Sequence, residues 1–558
     1  MAFFLLAFTS AVALLSWHLL CIYSNYRQAC RIGLPVIITP INGLNPVWVL
    51  TQQWSVPLLK RVPFGLCNFV NYTALGWPFA DKYSLHDRLG DAFVIVGPAE
   101  NYVIVANAEA VEEILSRRKD FQKSEAMYKP MEVFGPNVDT VEGDTWQRHR
   151  RITTPPFNER NSNLVWRESI SQAGDMLQSW MSASSTGGIT STVSDSMTLA
   201  LHVLTAAGFG KFYKFAGGLT KPAAGHSMTY REALDTILKS LMLTVIISST
   251  QFPAWMLPRK VVKVSEAIGN FKVYMTEMVG EERRSIANGE GDKDNLMSVL
   301  VRAAELSKTD ERERNSLTDE EIFGNLFFYN VAGHETTANT LAYAVALMST
   351  NRGVQDWIGE ELDAVFGPEH NVNKWQYEKA FPQLKRCLAL MYETLRLYGP
   401  VVVIPKYTNA AHPTLKINEK EYTIPPKTYV LLNSMALHSM PRHWGSDSLV
   451  WRPDRWIIPS QDENGLKYED FFQPTPGSFV PWAHGPRICP GKKFSQVEFV
   501  AVVARLLRRH RVEPILLEGE SHAEASERIL KVVQDSDLVV ILKMKRPENL
   551  KLKWTVKT

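Results

Sequence analysis

The chain has 558 residues, with 61 basic and 58 acidic side chains and a formal charge of +3. Such a length holds a large core, and so even a charge balance implies no nucleic-acid partner. The five cysteines (Cys21, Cys30, Cys67, Cys387, Cys489) contain no Cys-x-x-Cys pair, which argues against a disulfide framework, a zinc site or an iron–sulfur cluster.

Residues 2–23 contain no Asp, Glu, Lys or Arg. A helix needs about 20 apolar residues to cross a bilayer, so this run is long enough. A cleaved signal peptide would carry basic residues before its apolar stretch. Here Arg27 and Arg31 follow it, which predicts a single anchor over 1–24 with the remaining chain on the cytosolic side. On that topology the sequon at Asn71-Tyr72-Thr73 never meets the glycosylating enzymes. Gly33, Pro35, Pro40 and Pro46 predict a proline-containing linker over 25–60. Length alone suggests about three or four domains, but no linker divides the rest, so 61–558 reads as one domain.

Within that domain, Phe93–Val96 and Tyr102–Val105, separated by Gly97-Pro98, predict a β-hairpin. From about Ala108 to Tyr398 the pattern is mainly helical, ended by Gly399-Pro400. Trp146 and Arg150 fall one helical turn apart on one face. Leu241–Leu257 is an apolar island broken by Pro253; it is either ordinary core or a loop dipping into a membrane. The polar stretch from Gly289 predicts a surface loop.

Thr318-Asp-Glu-Glu321 has the form of a capping box and opens a long apolar helix containing Ala332-Gly333-His334-Glu335-Thr336-Thr337. A mid-helix glycine costs about 1 kcal/mol against alanine. Ala332 and Gly333 leave room for a flat ligand against the backbone, and Glu335 and Thr336 offer an acid and a hydroxyl for proton delivery. The plainer alternative is a surface glutamate beside a polar kink. A zinc-protease motif is excluded, because position 338 is Ala338 and not histidine.

Glu393 and Arg396 share one face of the next helix, and Trp451-Arg-Pro453-Asp-Arg455-Trp456 follows. Short strands are predicted at Val401–Ile404, Thr428–Leu432 and Leu538–Leu542. The run Phe479-Val-Pro-Trp482-Ala-His-Gly485-Pro-Arg487-Ile-Cys489-Pro-Gly491 places one cysteine in a tight loop before a helix. A thiolate held there, with backbone N–H groups aimed at it and Arg487 nearby, is a strong axial ligand for haem iron; a buried cysteine in a Gly/Pro turn is the ordinary alternative. Lys492 and Lys493, with Arg148 and Arg151, form either a solvated basic patch or a dock for an acidic electron donor.

These motifs, in this order, resemble the cytochrome P-450 family, in its membrane-anchored eukaryotic form. The wording from Pro481 to Phe499 is similar to enzymes of filamentous-fungal secondary metabolism. The resemblance implies a mainly α fold with small β-sheets, haem b (iron protoporphyrin IX) held by Cys489, and O2 as co-substrate. It implies propionate binding by Trp146, Arg150 and Arg487, an oxygen-activating helix at Ala332, Gly333, Glu335 and Thr336, and a structural Glu393–Arg396–Arg455 network. Lys406 stands where relatives often carry another propionate-binding arginine, and a lysine lacks the bidentate fork. The implied reaction is insertion of one oxygen atom into a lipophilic small molecule at the endoplasmic reticulum. No Gly-x-Gly-x-x-Gly fingerprint or flavin domain is present, so electrons come from a separate NADPH-cytochrome reductase, with cytochrome b5 as a further donor. Two alternatives keep the haem: an oxygen-independent isomerase or dehydratase, and a non-catalytic sensor or electron carrier with His334 as second ligand. Trp482 replaces the usual Phe, and its indole is expected to donate a hydrogen bond to the sulfur.

Overall fold

The computed structural model describes residues 2–65, 67–217, 222–241, 258–289, 295–309, 316–369, 371–409, 412–459 and 469–557. Helix α1 spans Ala2–Ile32. Its apolar stretch is 0% buried and long enough to cross a membrane. The last turns are different: Ala29 and Ile32 are buried, Asn25 Nδ2 donates to Gly97 O at 2.8 Å, and Asn101 Nδ2 donates to Asn25 O at 3.0 Å. The helix therefore runs past the expected boundary at 24 and docks on the globular body.

The expected linker is also folded. Strand β1 (Val36–Ile38) pairs in parallel with β2 (Ala92–Val96). Helix α2 (Pro46–Leu59) begins with Asn45 accepting from Val47 N and Trp48 N. Pro46 opens this helix because a first-turn residue has no intrahelical N–H bond to lose. Of the prolines that suggested a linker, Pro46 marks an element start.

β2 and β3 (Asn101–Val105) form the predicted antiparallel hairpin. With β4 (Phe121–Gln122), β5 (Val403–Thr408) and β6 (Tyr429–Asn433) they make a six-stranded sheet of order β1-β2-β3-β6-β5-β4. The pairing of β4 with β5 sets Phe121 opposite Thr408 and Gln122 opposite Tyr407. That register carries Lys123 to the level of Lys406.

The helical part contains α3 (Gly143–Thr153), α4 (Glu159–Thr186), α5 (Thr192–Phe209), α6 (Tyr230–Lys239), α7 (Asp319–Ser349), α8 (Lys385–Tyr398) and α9 (Lys492–Leu507). Every residue of α7 from Thr337 to Ser349 is buried, so this helix is the axis of the core. Both halves of its capping box form, between Thr318 and Glu321. The apolar run Leu538–Leu542 is not a strand. Leu538 ends β7 (Ser536–Leu538), Leu542 begins β8 (Leu542–Met544), and the residues between them turn, with Val539 47% exposed. Nearly all of the Leu241–Leu257 island lies outside the described residues, as does most of the polar stretch after Gly289.

Candidate active site

The cysteine loop is shaped by two left-handed residues, Ala483 (φ 54°) and Gly485 (φ 70°). Glycine is required at 485, since a Cβ there would meet Leu115 O at 2.7 Å. The turn brings Cys489 N to donate to Trp482 O at 3.0 Å. Gly491, at the N-cap of α9, directs its N–H to the cysteine sulfur. Burial pushes the Cys489 thiol up, opposed by that N–H and by the positive charge of Arg150. The side chain nonetheless carries exposed surface.

Among the described residues no group of three or more His, Cys, Asp or Glu side chains could hold a bare metal ion. Cys489 therefore offers a single ligand, and a metal held there needs its remaining donors from a bound group. A metal cation at the sulfur reverses the upward shift, because a coordinating thiol loses its proton.

Helix α7 contributes one wall of a cavity. This cavity of about 1350 Å³ is lined by Phe328, Val331, Ala332, Glu335 and Thr336, facing Val403 of β5. Thr336 Oγ1 donates to Ala332 O at 2.9 Å, which competes with the helix ladder at that point. Glu335 is 7% exposed and lines the cavity, and its carboxylate makes no hydrogen bond among the described residues. Gly333 has a packing role as well. A Cβ on it would lie 3.0 Å from Leu204, so this glycine also permits the close approach of α5. His334 lies off the cavity wall; it is buried and its Nδ1 bonds Asn330 O.

Trp146, 6% exposed, sits between two guanidiniums, with Arg487 at 4.5 Å and Arg118 at 4.9 Å from its ring. Its indole N–H has no partner among the described residues. Arg487 pairs with Glu142 at 2.6 Å and donates to Val141 O at 2.8 Å. Lys123 pairs with Asp139 and lies 4.2 Å over the Tyr128 ring. Lys406, 4% exposed, has an ammonium with neither hydrogen bond nor ion pair among the described residues. Burial first, then the charges of Lys123 and Arg487, lower its pKa to about 8. Four cations (Arg118, Lys123, Lys406 and Arg487) against two carboxylates, with a spare indole donor, is an arrangement that calls for an anion. It fits a flat ligand bearing carboxylates, as haem does.

Sequence reasoning doubted Lys406 and missed Lys123, because only strand pairing brings them together. Arg150 stands apart from this cluster: it forms no ion pair, and its charge acts on Cys489 and Tyr329. Arg148 is turned inward, donating to Glu321 at 3.0 Å and to Ser316 O at 2.6 Å, so it is not part of an exposed basic patch.

Glu393 and Arg396 are both 0% exposed and joined by two 2.8 Å bonds. Glu393 also accepts from Arg455 Nε at 2.9 Å, Arg452 N at 2.8 Å and Trp456 Nε1 at 3.0 Å. Arg396 donates to His438 O at 2.7 Å, and His438 Nε2 accepts from Val480 N at 2.9 Å. That second bond fixes His438 as neutral, in agreement with a pKa lowered to about 3 by burial and by Arg396. His438 thus ties the ion network to the start of the cysteine loop, a link with no signal in the sequence.

The cytochrome P450 family model matches residues 62–537. A cytochrome P450 monooxygenase of Arthrobotrys oligospora is 30% identical, covering 95% of this chain and 95% of that protein. The phomenoic acid biosynthesis cluster cytochrome P450 monooxygenase of Leptosphaeria maculans is 29% identical, covering 94% and 95%. The crystal structure of a cytochrome P450 superposes with a TM-score of 0.66 at 19% identity, covering 87% of this chain and 98% of that one.

Proposed function

The chain belongs to the cytochrome P450 family and is a monooxygenase, and from that premise we propose that it inserts one oxygen atom from O2 into a lipophilic intermediate of fungal secondary metabolism. The observations that support this reading are Cys489 in a tight loop at the N-terminus of α9 and a cavity to which α7 presents Glu335 and Thr336. The bound haem b would supply dioxygen activation at its iron, with the Cys489 thiolate as electron donor.

The chain's own residues do the rest. Cys489 holds the iron through its sulfur. Trp146, Lys123, Lys406 and Arg487 would bind the propionates, and Arg150 would add positive charge beside the thiolate. Glu335 would pass protons to Thr336, whose hydroxyl could turn from Ala332 O into the cavity. Phe328 and Val331 exclude water from that side and hold an apolar substrate.

Electrons would come from a separate NADPH-cytochrome reductase, with cytochrome b5 as a further donor, docking near Lys492 and Lys493. The apolar part of α1 anchors the protein in the endoplasmic reticulum, with the catalytic domain cytosolic. Support for this topology comes from Arg27 and Arg31 at the helix end that enters the globular body. The test is co-expression with a reductase in a host fed candidate metabolites. Product gaining one oxygen atom, with NADPH and O2 consumption dependent on the reductase, is the expected result; reductase-independent turnover or no oxygen gain overturns it.

A further inference from the structure

Trp482 makes two contacts that bracket Cys489. Its main-chain carbonyl accepts the Cys489 N–H at 3.0 Å. Its indole Nε1 donates to Ser495 Oγ at 3.1 Å, so the indole proton is committed to a hydroxyl and not to the sulfur. Ser495 lies in the first turn of α9, where its N–H donates to Gly491 O at 2.8 Å and its Oγ donates to Lys492 O at 2.9 Å. Gly491 is the residue whose N–H reaches the sulfur, and its own Cβ position lies 3.7 Å from Cys489 Sγ. The Trp482 ring is steadied from the other side by Tyr392 of α8, at 5.3 Å between centroids, and Gln496 of α9 donates to the Tyr392 hydroxyl at 2.8 Å.

We propose that the Trp482–Ser495 hydrogen bond is a clamp that fixes the distance between the cysteine loop and the N-terminus of α9, and thereby sets the strength of the Gly491 N–H bond to the ligating sulfur. The inference rests on Cys489 being the haem ligand. Without the clamp, loop and helix start keep the long Lys492 N to Cys489 O contact at 3.4 Å and the Lys492 ammonium 5.4 Å from the indole ring, both weaker ties than the side-chain hydrogen bond. A thiolate with a weaker N–H bond keeps more electron density for the iron, which favours the oxidised state. Trp482 and Ser495 are then positioning residues that act as a unit, a pairing that phenylalanine at 482 could not make.

The experiment uses the haem-loaded full chain and reads three quantities: the haem reduction potential, the iron–sulfur stretching frequency, and hydrogen exchange at the amides from Cys489 to Ser495. Ser495→Ala and Trp482→Phe are each expected to shift the potential negative by similar amounts and to speed exchange. The double variant should shift it no further than either single one, and Ser495→Thr should restore the wild-type values. An unchanged potential in Ser495→Ala overturns the clamp, as does a shift in Trp482→Phe alone or strict additivity of the two. If wild-type protein lacks the red-shifted reduced carbon monoxide band, the haem-thiolate reading itself fails. A normal band with an inert Ser495→Ala sinks the clamp only.

Discussion

Arg455 Nε lies 2.9 Å from Glu393 Oε1, joining two residues from separate elements around a carboxylate with no exposed surface. Arg396 occupies the other side of that carboxylate, and Trp456 and the Arg452 N–H complete its shell. Every charge in the group has a partner, so the cost of burial is offset only while the set is whole. Removing one member leaves a buried charge unpaired, at about 3–5 kcal/mol. We expect Arg455→Met and Glu393→Gln to yield protein with little haem and a lowered melting temperature. Haem-to-protein ratios near wild type in both variants would contradict this.

Lys406 should show opposite effects in the free and haem-loaded protein. Its ammonium is buried without a partner among the described residues, and Lys123 and Arg487 repel it. Lys406→Met is therefore expected to raise the melting temperature of the haem-free protein while speeding haem transfer to an acceptor globin several-fold. Lys406→Arg should keep the haem. An unchanged transfer rate in Lys406→Met would remove Lys406 from the propionate site.

Glu321 connects acid stability to the oxygen helix. Its pKa falls from 4.5 to about 2, through bonds from His149, Arg148 and the Thr318 N–H that outweigh burial. A carboxyl lowered on folding contributes stability that is complete above 4.5 and drains away as the pH falls toward 2. Glu321→Gln should flatten the loss of stability between those limits in acid unfolding followed by circular dichroism. A slope identical to wild type would show that Glu321 does not carry it.

Thr336→Ala and Glu335→Gln should separate proton delivery from haem binding. Both residues line the cavity, and neither anchors another element through its side chain. The reduced carbon monoxide spectrum is expected to stay normal while product per NADPH falls, by about 100-fold where proton transfer limits the rate. Full coupling in both variants would reassign the pair to structure.

Much of this site was legible because its signals are local. The Thr318 capping box, the glycine at 485 and the Glu393–Arg396 spacing each declare themselves within a few residues, and all three form. Partners set by tertiary packing were not legible. Gly333 gave no sign in the sequence of its close approach to Leu204 of α5. The Trp482 indole looked free for the sulfur until α9 brought Ser495 to it. Arg148 read as surface charge and is tied to Glu321. Pro46 looked like a linker residue because a proline at a helix start and one in a loop are alike without the cap from Asn45. The Leu538–Leu542 run shows the same ambiguity, since an apolar stretch reads as a strand whether it pairs along its length or turns in the middle.

The most direct test of the central claim is the carbon monoxide spectrum of the dithionite-reduced protein, measured for wild type and for Cys489→Ser. A thiolate from Cys489 on the iron predicts a strongly red-shifted Soret band in wild type that disappears in the variant. A wild-type spectrum without that band, or a variant that keeps it, would contradict the account.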